Sequence, residues 1–270
     1  MRPTVDIDPD QLVAAVMSGD PAALGDAPIA TIVSGLRHAF IGNQLGCGDF
    51  ATIELRLLLW HAGQMDKLEL IRNGADPYRD FAAGLFRIGD REAYLATPKD
   101  AMTFEQKHHR QVGKPFVLGA GYGMGVDRFH GQEPDVPFEL IKPGIDHYRR
   151  LWAPKVPQLW DEFDWAVRTA IRSPGKVVET SCGVRFEMQA GRLAVRLISG
   201  KEIFFPGGHI DGPDWWFYVN EDGRWQRRKG YGGLVTAGVV SATAREILAD
   251  AMLVPKLEDS LLSCIATTKS

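Results

Sequence analysis

The sequence predicts an α+β fold in which helices pack on an antiparallel sheet. Two observations carry this. Apolar residues recur at helical spacing over most of the chain before Pro174, and from Val177 to Val219 short apolar runs alternate with Gly and Asp turns. A third is composition: 270 residues, 45% hydrophobic and 24% charged, suffice for a substantial core in one or two domains.

The elements follow in order. Helical patterns occur around Asp10–Met17 and Ile29–Phe40, separated by a Gly/Pro/Ala-rich turn. A short strand is expected over Leu45–Phe50, and the apolar run Ile53–Ala62 reads as a buried helix stopped by Gly63. Asp76-Pro77 starts another helix, because a carboxylate caps free N–H groups and Pro is tolerated at the first helical position. A loop to about Lys99 precedes a helix from Thr103 to near Ala120, which Pro115 strains and a glycine cluster ends. Residues 146–172 form an amphipathic helix or helix pair, broken near Pro154 and Pro157. Strands are expected at Val177–Phe186, Leu193–Ile198, Ile203–Phe205 and Trp215–Val219, with a last helix over Val235–Met252.

The formal charge of −3 gives no overall basic signature, so any nucleic-acid contact rests on a local cluster. Cys47, Cys182 and Cys264 are widely spaced with no CxxC pair, which argues against a disulfide framework or a zinc site and for a reducing cytoplasm. No stretch approaches the roughly 20 apolar residues of a membrane span, so no membrane partner is expected.

Asp49 ends the expected strand and Glu54 opens the next helix, positions from which carboxylates can face a cleft. An Asp before a helix is more often a cap than a metal ligand, and a lone Glu is usually surface. Arg110, Lys114, Leu118 and Tyr122 recur every four residues, so they share a slowly drifting helical stripe with members about 6 Å apart along the axis. Two cations followed by an aromatic suit phosphates and a base; a solvated basic face beside a core tyrosine is the competing reading. His108, His109 and Trp225–Lys229 could extend a basic surface, although a charge run is more often simply solvated. A P-loop is excluded, because Pro115 follows Gly113-Lys114 and His108 stands where its first glycine belongs. The glycine cluster follows a helix and lacks GxGxxG spacing, which removes a dinucleotide fingerprint.

Taken together, Asp49-Phe-Ala-Thr-Ile-Glu-Leu-Arg56 and Arg110-Gln-Val-Gly-Lys-Pro-Phe-Val-Leu-Gly-Ala-Gly-Tyr-Gly-Met124 closely resemble motifs A and B of family A, DNA polymerase I-like DNA polymerases of phage type. The resemblance extends through Arg72–Ala83, Ser199–Phe205, Tyr231-Gly-Gly and Ser241–Glu246. It implies a polymerase palm, an antiparallel sheet with packed helices, carrying an inserted mainly helical fingers subdomain. The corresponding segments are a lead-in at 1–48, palm with motif A at 49–98, fingers with motif B at 99–172, palm hairpins and helix at 173–253, and an atypical tail at 254–270.

The implied activity is template-dependent deoxynucleotidyl transfer, with primer-template DNA and deoxynucleoside triphosphates as partners and Mg2+ as cofactor. The resemblance makes Asp49 a ligand of a two-metal site and Glu54 a steric gate against the ribose 2′-OH. Arg110 and Lys114 go to the triphosphate, with Lys114 catalytic beside Asp49; Leu118 goes to the sugar and Tyr122 to the base. Arg37, Gly123, Ser241 and Thr243 fall at DNA-contacting positions. A single-subunit RNA polymerase is disfavoured by Glu54, where a small residue would admit the 2′-OH.

The sequence also departs from that pattern. The family's third motif, a strand ending in His-Asp, supplies the second metal-binding carboxylate; this chain has no His-Asp dipeptide, and Glu258 and Asp259 are poor substitutes. Gly238 and Ser241 stand where the family has template-contacting Asn and Gln, so a weaker grip on DNA is expected. With about 48 residues before motif A, exonuclease and thumb regions are expected to be missing. The expectation is a truncated polymerase region, weak or inactive in isolation; the alternative is an inactive DNA- or nucleotide-binding remnant.

Overall fold

The computed structural model describes residues 50–257 together with Ala14, Ala15 and Ser18, and gives backbone alone for 252–257. Thr52–Ile247 form one compact unit; Met1–Ala51 and Leu248–Ser270 group as another, in which Ala14, Ala15 and Ser18 are helical. Apart from these residues and Phe50, which is neither helix nor strand, the patterns expected at 10–17, 29–40 and 45–50 lie outside the described residues.

Helix α1 (Ile53–His61) is mostly apolar and buries Leu55, Leu57, Leu58, Leu59 and His61, leaving Glu54, Arg56 and Trp60 exposed. The polar α2 (Met65–Arg72) buries Ile71. Helix α3 (Pro77–Leu85) starts where Asp76-Pro77 predicts: the Asp76 carboxylate accepts from the backbone N–H groups of Tyr78 and Arg79 at 2.9 and 3.4 Å. The expected loop beyond contains a short helix, α4 (Arg91–Ala96), capped by Asp90. Buried Asp80 ties this region together, accepting from Lys67 at 2.9 Å, from Trp152 at 2.8 Å and from Arg91.

Helix α5 (Phe104–Gly119) opens with a reciprocal capping box between Thr103 and Gln106. It runs through Pro115 without ending; the carbonyl left without an N–H partner belongs to Gln111, an exposed residue. A single 3-10 turn, Ala120–Tyr122, leads to Gly123 at φ 82°. After α6 (Val126–Gln132), α7 (Phe138–His147) and a π turn at Tyr148–Trp152, α8 (Lys155–Arg172) begins at Pro154. Pro157 falls in the first turn of α8, where an N–H has no helical partner, so the expected second break does not occur.

Strands β1 (Val178–Glu179), β2 (Arg185–Gln189), β3 (Arg192–Arg196) and β4 (Glu202–Pro206) form an antiparallel meander with Phe186 opposite Val195 and Leu193 opposite Phe205. Helix α8 covers one face: Phe163 meets Phe186 with ring centres 5.3 Å apart. Strands β5 (His209–Asp211), β6 (Asp214–Glu221) and β7 (Arg224–Lys229) form a second sheet, joined to the first by Phe205 against Trp215 and Phe217. Helix α9 (Gly232–Leu257) closes the described chain. The α+β expectation holds, as helices pack on antiparallel sheets. Among the described residues no helix is long and apolar enough to cross a membrane.

Candidate functional site

Helix α5 buries Val112, Gly113, Phe116 and Val117, which turns Arg110, Lys114 and Leu118 to the other side. Contact with α3 is close because residue 113 is glycine: a Cβ there would sit 2.7 Å from the Tyr78 carbonyl oxygen. One turn earlier on α5, Arg110 therefore reaches the start of α3. Its Nε donates to Asp76 Oδ2 at 2.6 Å, and its guanidinium lies 5.1 Å from the Tyr78 ring centre. Burial raises the Tyr78 phenol pKa, as does the Asp76 charge, against a smaller opposing effect of Arg110.

Lys114 is half-buried and has no hydrogen bond or ion pair among the described residues. Leu118 is 42% exposed, high for a leucine beside a packed core. Tyr122 lies in the 3-10 turn rather than on α5, so the expected stripe is continuous only from Arg110 to Leu118. The helix gives way after Gly119, and the tighter turn rotates Tyr122 away from the helical register. Burial raises the Tyr122 phenol pKa well above its usual value, helped by the charge of Glu54. The first turn of α1 and the end of the α5 segment are thus brought together.

Glu54 itself is exposed, in the first turn of α1. Just before it, Thr52 holds φ 53°, a left-handed conformation costly for a β-branched residue. Asp49 and Arg37 lie outside the described residues. Among the described residues no group of three or more His, Cys, Asp or Glu could hold a metal ion.

Gly123 lies against the start of α9, where the Tyr231 ring would be 3.2 Å from a Cβ on Gly123. Beside it opens a cleft of about 500 Å³ whose lining includes Gly123, Arg149, Trp160, Trp165, Arg168 and Tyr231. Trp160 donates to the Gly121 carbonyl at 3.0 Å, and Arg149 stacks on Trp160 while donating to the Met124 carbonyl at 2.7 Å. On α9, Ser241 is exposed, whereas the Thr243 hydroxyl donates back to the Val239 carbonyl at 2.8 Å.

The other basic candidates are largely engaged within the protein. His109 stacks on Phe86 with ring centres 4.0 Å apart, and burial lowers its pKa. On β7, Arg227, Arg228 and Lys229 pair with Asp211, Glu221 and Asp214. Sequence reasoning treats Asp76 as a cap alone and gives Tyr78 no role beyond the helix; the Asp-Pro-Tyr segment lies within the resembling Arg72–Ala83 stretch, the one signal that could have found them.

No family model matches the chain. Over 232 residues it is 29% identical to a DNA polymerase of Bacillus phage SP02, covering 79% of this chain and 33% of that protein. Over 149 residues it is 28% identical to thermostable DNA polymerase I of Thermus aquaticus, covering 54% of this chain and 16% of that one. It resembles phage-type family A DNA polymerases. The polymerase-like chain spans about a third of the length of its phage relative. In this polymerase-like frame, Arg110, Lys114, Leu118 and Tyr122 follow one another along α5 and its terminal turn, with Glu54 beside the last of them.

Proposed function

We propose that the chain is the palm and fingers region of a template-dependent DNA polymerase and binds a deoxynucleoside triphosphate along α5. The observation that supports this reading is the order along one segment: Arg110 and Lys114 on α5, then Tyr122 in its terminal turn, within reach of the charge of Glu54. Arg110 and Lys114 take the triphosphate, Leu118 the sugar and Tyr122 the base, while Glu54 excludes a 2′-OH. Gly123, Ser241 and Thr243 fall at DNA-contacting positions by the resemblance, as does Arg37, which lies outside the described residues. By the resemblance, Asp49 would hold magnesium, which when bound would supply neutralisation of charge on the transferring phosphate. The cytoplasm is the compartment where such a template and its triphosphates meet.

The test is calorimetric titration with a deoxynucleoside triphosphate, followed by primer extension in magnesium. Charge-assisted hydrogen bonds contribute about 1.5–3 kcal/mol, so Arg110→Ala and Lys114→Ala should each weaken binding about ten- to a hundredfold. Glu54→Ala should raise ribonucleotide acceptance relative to deoxyribonucleotide. Unchanged affinity in both cation variants would sink the reading. Binding without release of pyrophosphate would instead identify a nucleotide-binding remnant.

A further inference from the structure

Arg110 is the more constrained of the two α5 cations. Its Nε is held by Asp76 Oδ2 at 2.6 Å and its plane rests over Tyr78, while neither Nη group is hydrogen-bonded or buried without a partner among the described residues. An arginine anchored through Nε leaves its end-on Nη fork open, and that fork matches two oxygens of one phosphate. The anchor is itself fixed. Asp76 Oδ1 accepts from the Tyr78 and Arg79 backbone N–H groups, Pro77 sets the backbone after it, and Gly113 seats α5 on the Tyr78 carbonyl. Lys114, by contrast, has no hydrogen-bond or ion-pair partner among the described residues and must be ordered by whatever it binds.

Resting on the triphosphate reading above, we propose that Asp76 is a positioning residue. It holds Arg110 with both Nη groups presented to a polyphosphate, so the rotamer entropy of a long side chain is already lost before the nucleotide arrives. One carboxylate serves two tasks, with Oδ1 starting helix α3 and Oδ2 aiming the cation.

The two tasks can be separated by substitution. Asp76→Asn and Asp76→Ser both keep a good N-cap but remove the charge that holds Arg110. In the full chain, titrated with a deoxynucleoside triphosphate and separately with inorganic tripolyphosphate, each should weaken both ligands about tenfold while the melting temperature stays near that of the parent. In an Arg110→Ala background, Asp76→Asn should have no further effect, because the group it positions is gone. Unchanged or tighter binding in both cap-preserving variants, alongside weakened binding in Arg110→Ala, would overturn the role of Asp76 and leave the triphosphate reading standing. An additive loss in the double variant would also overturn it, since Asp76 would then be acting elsewhere. Should Arg110→Ala itself bind normally, the triphosphate reading of Arg110 fails, and the inference with it.

Discussion

His61 is 4% exposed, and neither ring nitrogen has a hydrogen-bond partner among the described residues. Burial drives its pKa down from 6.5 to about 4, so the folded protein holds it neutral. The unfolded chain binds a proton that the native state refuses between those two values, so stability is complete above about pH 6.5 and falls as pH drops toward 4. Over that window the loss attributable to this side chain is about 3 kcal/mol. His61→Leu should remove that share of the slope, read as a smaller difference in urea unfolding free energy between pH 7 and pH 4.5. A slope equal to the parent's would show that His61 is protonated in the folded state.

The spacing of α5 and α3 decides whether Arg110 meets Asp76. Gly113→Ala gains up to about 1 kcal/mol of helix propensity, yet it places a methyl group against a backbone oxygen, which costs about 1–3 kcal/mol. Net destabilisation is expected, as a lower urea midpoint together with weaker triphosphate binding from a displaced Arg110. A more stable Gly113→Ala protein would mean the two helices can separate freely. Element ends were the most legible part of the fold, since Asp76, Thr103 and Pro154 act on the backbone within a few residues of themselves. Short α4 and α6 offer too few turns for a period to show, and β7, Arg-Trp-Gln-Arg-Arg-Lys, is exposed throughout and carries no inside-outside alternation. The run Val177–Phe186, read as one strand, is interrupted by a turn between β1 and β2 that holds Gly183 at φ 81°.

Within Thr52–Ile247, α9 is locked to α8 by backbone approach: a Cβ on Gly232 would lie 1.9 Å from the Trp160 carbonyl oxygen. That contact sets the start of α9 beside Gly123 and so shapes the cleft between them. Gly232→Ala has no flexible side chain to displace and should cost about 3 kcal/mol or more. Hydrogen exchange should then show early opening of α9 while the α3–α5 pair stays protected; uniform protection across both would refute the coupling. At this scale the sequence by itself determined that helices come before the short strands, the starts of α3 and α5, and the Arg110–Lys114–Leu118 face, because each follows from periodicity or capping within a few residues. Only the tertiary structure decided that Arg110 pairs with Asp76, 34 residues away, that Tyr122 leaves the stripe and feels the charge of Glu54, and that His61 is buried without a hydrogen-bond partner among the described residues. These depend on how closely helices approach, which is set by the small residues and side-chain volumes between them and cannot be read along a single segment.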